Sequence, residues 1–172
     1  MVVSVAAIVT HAGDYSVVIG VGLVAWAVGR GREPWPVVAV LAAIGLTTVL
    51  KSAIGLTRPP GAAIGGYGFP SGHALGATVA YGLAADRLEI GSRRARVAVA
   101  TIVVGTVAAS RVVIGVHYPI DVVAGLLLGL GVLVAVRRLW SADSSPTEAT
   151  DIEVRQSILE AEGDQTEGGD SR

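Results

Sequence analysis

Ser110-Arg111-Val112-Val113-Ile114-Gly115-Val116-His117-Tyr118-Pro119-Ile120-Asp121 sets an arginine, a histidine and a carboxylate inside otherwise apolar sequence. A charged side chain at core or membrane depth is costly without a partner or a task, so this cluster marks a functional site. The runs on either side, 97–116 and 118–136, are long and apolar. The stretch therefore reads as the outer end of one membrane span and the start of the next.

The rest of the chain supports a membrane setting. Of 172 residues, 52% are hydrophobic and only 16% charged, and the mean hydropathy is +0.63. A soluble domain is typically about 25% charged. Residues 1–140 carry 11 Lys and Arg against 5 Asp and Glu, whereas 141–172 carry 2 against 9. This division predicts a mildly basic membrane-embedded domain, 1–140, followed by an acidic, mostly disordered tail, 141–172, with a short helix starting near Ser145-Pro146-Thr147-Glu148. No cysteine is present, which excludes disulfides, thiolate catalysis and Cys-ligated metals. The first basic residue is Arg30, so the basic start of a cleavable signal peptide is missing.

Five spans are expected, near 15–29, 35–57, 71–88, 97–116 and 118–136, giving an all-α, multi-pass transmembrane bundle. The apolar segment 2–10 is too short to cross a bilayer and reads as a surface-lying or packed piece. Asp14 is expected to cap the helix that follows it, and His11 reads as an incidental surface residue. Arg30 and Arg32, the arginines at 87–96, and Arg137 with Arg138 mark alternate connections. If these are cytoplasmic, the N-terminus lies outside and the tail inside the cell membrane. Lys51 and Arg58, Ser71 and His73, and Arg111, His117 and Asp121 then all fall at the extracytoplasmic level, which implies one site. Gly72-x-x-x-Gly76 and Gly125-x-x-x-Gly129 would allow close helix packing.

The side chains suit an anion. Lys51 is a point charge, and Arg58 and Arg111 offer planar forks that match phosphate oxygens. Ser71 and the backbone N–H groups of Ser71 and Gly72, at a helix start, add donors. His117 and Asp121 are four apart, so the carboxylate can hold one imidazole nitrogen and raise the basicity of the other. His117 is the candidate nucleophile, and His73 can protonate a leaving alkoxide.

Lys51 and, after six intervening residues, Arg58-Pro59, then Pro70-Ser71-Gly72-His73, then Ser110-Arg111 with His117 and Asp121, resemble the three-part signature of the type 2 phosphatidic acid phosphatase superfamily. Four fixed residues recur by chance at about one start in 100,000, at about 5% per residue type, and here three parts fall in order. The resemblance covers residues 51–121. It implies an integral membrane phosphatase that hydrolyses a lipid phosphate or pyrophosphate without metal or cofactor, through a phosphohistidine at His117. Asp121 would orient the nucleophile and His73 would serve as acid. Lys51, Arg58, Ser71, Gly72 and Arg111 would bind the phosphate, while Pro59 and Pro70 shape the loop and Ser110 is structural. Members usually have six spans, against five here plus the segment 2–10.

The same pocket chemistry admits a vanadate-dependent haloperoxidase, whose soluble relatives share it, and a non-catalytic lipid-binding scaffold. Five apolar spans oppose the first, and a full set of catalytic residues opposes the second. The expected partners are the bilayer and a lipid with a phosphorylated headgroup, not nucleic acid. Which lipid it is, and whether two copies associate as a homo-oligomer, the sequence leaves open.

Overall fold

The computed structural model describes residues 2–29 and 33–143. The predicted tail helix therefore lies outside the described residues, as do Arg30 and Arg32. The chain divides into two compact units, Met1–Val136 and Arg137–Arg172. Of the second, only the closing residues of a helix are described.

Among the described residues all regular elements are helical: α1 (Val2–Val9), a 3-10 turn (Thr10–Gly13), α2 (Tyr15–Val28), α3 (Trp35–Ile54), α4 (Gly72–Arg87), α5 (Arg93–Val113) and α6 (Pro119–Asp143). Three are long and apolar enough to cross a membrane: α3, α5 and the Pro119–Trp140 part of α6. A fourth is reached if Ser4–Gly13 and Tyr15–Val28, bent by 46°, count as one broken span. Two of the expected spans are thus shorter helices, α2 with 14 residues and α4 with 16, against the ~20 that a bilayer requires.

The shortness of α4 follows from its position. It is buried along nearly its whole length by small residues, including Ala74, Gly76, Ala77, Ala80 and Ala84, and so is walled by protein on most sides. A helix solvated by its neighbours need not match the bilayer. The core gathers around it, with Val18 of α2, Val40 and Ala43 of α3, and Leu75, Val79 and Leu83 of α4. The Gly125 and Gly129 pair works as expected: a Cβ at Gly125 would lie 2.5 Å from the Ser71 carbonyl oxygen, and one at Gly129 2.7 Å from Thr78 Cβ. The α6 backbone therefore rests directly on α4.

Segment 2–10 is a packed piece. Val5, Ala6 and Val9 line an apolar cavity of about 310 Å³ with Thr106, Ala109 and Val113 of α5. Direction alternates from α2 to α6. The start of α2, the end of α3, the start of α4, the end of α5 and the start of α6 consequently meet at one end of the bundle. Arg93, on α5, and Asp86, on α4, pair at 3.8 Å at the other end.

Candidate active site

Each site residue sits at a helix end or in the loop beside it. Lys51 lies in the last turn of α3, which Gly55 closes in the left-handed conformation at φ 68°. The loop then folds back, with Thr57 bridged to Tyr67 and the Gly68 N–H donating to the Leu56 carbonyl at 2.8 Å. This return brings the Tyr67 and Gly68 carbonyls onto Lys51 Nζ, which donates to them at 2.7 and 3.1 Å. Arg58, in the same loop, donates from Nε to Gly65 O at 3.2 Å and from Nη1 to Val116 O at 2.9 Å.

Ser71 caps α4, accepting from the Ala74 N–H at 3.5 Å. Its own N–H, expected to face an anion, instead donates to the Asp121 carbonyl at 2.9 Å and fastens α4 to α6. Arg111, in the last turn of α5, is 4% exposed, and its Nε is a buried donor with no hydrogen-bond partner among the described residues. An orphaned guanidinium donor is costly unless an anion completes it. The Arg111 carbonyl accepts from the N–H groups of Val116 and His117, which fixes the turn that presents the imidazole.

His117 is held from both sides. Nδ1 lies 3.2 Å from Asp121 Oδ2, and Arg58 Nη1 lies 3.2 Å from Nε2. A guanidinium only donates, so Nε2 must accept, and the ring proton is on Nδ1, donated to Asp121. The same Asp121 oxygen accepts from the Tyr118 N–H at 3.0 Å. Burial first, then the charges of Arg58, Lys51, Arg111 and His73, push His117 down to about 3. The imidazole is neutral at ordinary pH and carries its lone pair on Nε2, beside the arginine.

The structure thus brings Lys51, Arg58, Arg111, His117 and Asp121 to one cationic pocket, with His73 in the first turn of α4 near enough to act on it electrostatically. Asp14 departs from expectation. It stands at the α2 cap position, but its side chain makes no cap bond. One carboxylate oxygen takes His73 Nε2 at 2.9 Å and the other takes His11 Nδ1 at 2.7 Å. Thr10 accepts from Arg111 Nη1 at 2.6 Å. Sequence reasoning missed these roles, although polar residues breaking the apolar run 2–28 were the available signal. Among the described residues no group of three or more His, Cys, Asp or Glu side chains is clustered to hold a metal ion.

Apolar helices, three of them of membrane length, whose ends and loops gather two histidines, a carboxylate and three cations at one level, define a helical membrane protein with a cationic pocket. A sequence profile of the PAP2 superfamily matches residues 34–144, well over half of the chain. The chain belongs to the PAP2 superfamily, a family of phosphatases. The crystal structure of a transmembrane PAP2 type phosphatidylglycerolphosphate phosphatase from Bacillus subtilis is similar. It has a TM-score of 0.70 and 25% identity, over 85% of this chain and 79% of that one. Comparison with curated proteins returned no match.

Proposed function

We propose that the protein hydrolyses a lipid phosphate or lipid pyrophosphate at the extracytoplasmic face of the cell membrane through a phosphohistidine. The observation that carries this reading is the orientation of His117, with Nδ1–H on Asp121 and the Nε2 lone pair turned toward Arg58. With Lys51, Arg58, Arg111 and the first turn of α4 holding the phosphate, Nε2 attacks phosphorus. The bond to the lipid oxygen breaks, its electron pair stays on oxygen, and that oxygen takes a proton from His73. Water then attacks the phosphohistidine, surrendering a proton to His73, and the P–N bond breaks to free phosphate. Buried cations disperse the charge that spreads over the equatorial oxygens in both steps.

Support for a lipid comes from an apolar groove of about 700 Å³ between α3 and α6, lined by Leu46, Leu50, Ile54, Leu127 and Leu128 and reaching Phe69 of the loop. Phosphatidylglycerolphosphate, the substrate named for the Bacillus relative, offers such a tail, as do phosphatidic acid and polyprenyl pyrophosphate. In this reading α2 to α6 all cross the membrane, 1–140 is the phosphatase domain and 141–172 a cytoplasmic tail.

The test is phosphate release from a panel of lipid phosphates by purified protein in detergent with EDTA present. Release that vanadate inhibits, and that disappears in His117→Ala, is expected. Full activity in His117→Ala would remove the nucleophile from this account.

A further inference from the structure

The bend between α1 and α2 lies outside the family match, which begins at residue 34, yet it reaches into the site through two side chains. Asp14 Oδ1 lies 2.9 Å from His73 Nε2, and Thr10 Oγ1 accepts from Arg111 Nη1 at 2.6 Å. The bend is itself fixed from two helices. Tyr81 of α4 donates to the Ala12 carbonyl at 2.9 Å, and a Cβ at Gly13 would meet Val107 of α5 at 2.6 Å and His73 Cδ2 at 3.1 Å. Thr10 is buried, and α1 carries Ser4 as its one polar side chain, so nothing draws this segment away from the apolar bundle.

We propose that the Thr10–Asp14 bend is a working part of the active site, with Asp14 positioning His73 as the acid and Thr10 positioning Arg111 on the phosphate. The inference rests on the phosphatase reading. Asp14 keeps the Nε2 proton of His73 engaged, which leaves Nδ1, unbonded among the described residues, as the nitrogen that gives a proton to the leaving oxygen and takes one from water. The Asp14 negative charge favours the protonated imidazole that the first step consumes. His11, 71% exposed, holds the second Asp14 oxygen and keeps the carboxylate facing α4. Thr10 gives one guanidinium N–H a buried acceptor, so the fork is set before an anion arrives.

Two substrates separate these roles from a structural one. A lipid phosphate releases an alkoxide, which must be protonated as it leaves, whereas 4-nitrophenyl phosphate releases a phenolate that departs unaided. In Asp14→Asn, kcat/KM, which reports only the steps up to departure of the leaving oxygen, should fall about 10- to 100-fold on a lipid phosphate, while on 4-nitrophenyl phosphate it loses less than about threefold. The alkaline limb of its pH profile should move to lower pH, and Asp14→Glu should restore part of both. The groups surrounding His73 are Asp14, Tyr15 of α2, Arg58 of the loop, Arg111 of α5 and His117 of the α5–α6 turn, and only the first changes in this variant. Thr10→Val should instead raise KM about 3- to 10-fold on both substrates with kcat little changed. Asp14→Asn with wild-type kcat/KM on the lipid, or with equal loss of kcat/KM on both substrates, would overturn the positioning role. Wild-type protein that releases phosphate from neither substrate would overturn the phosphatase reading instead.

Discussion

At the scale of single residues, the His117 tautomer is dictated by its neighbours rather than by its own chemistry. An acceptor-only carboxylate on Nδ1 and a donor-only guanidinium by Nε2 leave one arrangement of the proton. Asp121→Asn keeps the shape but admits the wrong tautomer, and kcat should fall about 10³- to 10⁴-fold, measured as phosphate release, with the protein still folded. Because burial and the surrounding cations hold His117 down to about 3, the proposed nucleophile stays unprotonated through the mildly acidic range. Any acid limb of the kcat/KM profile near pH 6 should therefore persist unchanged in Arg58→Lys, since it belongs to another group. The same depression makes folding pH-sensitive in a defined direction. The unfolded imidazole takes a proton below about 6.5 and the folded one does not, so this contribution holds above that pH and is lost as pH falls toward 3. Thermal melts between pH 7 and 4 should show it, with a smaller slope in His117→Phe.

At the scale of elements, the α4–α6 contact sets the geometry of the site. The Ser71 N–H to Asp121 carbonyl bond, 2.9 Å long, joins the start of α4 to the turn carrying His117, and it exists because Gly125 lets the two backbones touch. A methyl at 125 would strike the Ser71 carbonyl, which is backbone and cannot rotate away. Gly125→Ala should cost about 1–3 kcal/mol, seen as a lower melting temperature in detergent, and should reduce turnover as Asp121 shifts from His117. Gly131→Ala, on the same helix but with open space around it, should change neither. The loop between α3 and α4 has a comparable role, since its folded-back carbonyls hold Lys51 while its arginine reaches the next turn but one.

At the scale of the whole molecule, alternating helix directions put every candidate catalytic group at one end, so the proposed orientation makes one prediction about access. The chain has no cysteine, and single cysteines can report it directly. Ala63→Cys in the site-end loop should react with a membrane-impermeant maleimide on intact cells, and Ile90→Cys, 75% exposed at the opposite end, only after permeabilisation. The reverse pattern would place the site on the cytoplasmic face. The sequence by itself determined the helical membrane class and named Lys51, Arg58, Ser71, His73, Arg111, His117 and Asp121, because ionisable residues are rare in apolar sequence and their fixed spacings survive without any fold. It also read the glycine pair that seats α6 on α4, since the absence of side chains is visible in a sequence. Span length was less legible: α4 looks like a full crossing by composition, and its shortness follows from being walled by protein, a property of its neighbours. Only the tertiary structure decided what Asp14 and Thr10 do. Their partners, His73 and Arg111, are 59 and 101 residues away, and no local pattern can distinguish a carboxylate that caps its own helix from one that crosses to another.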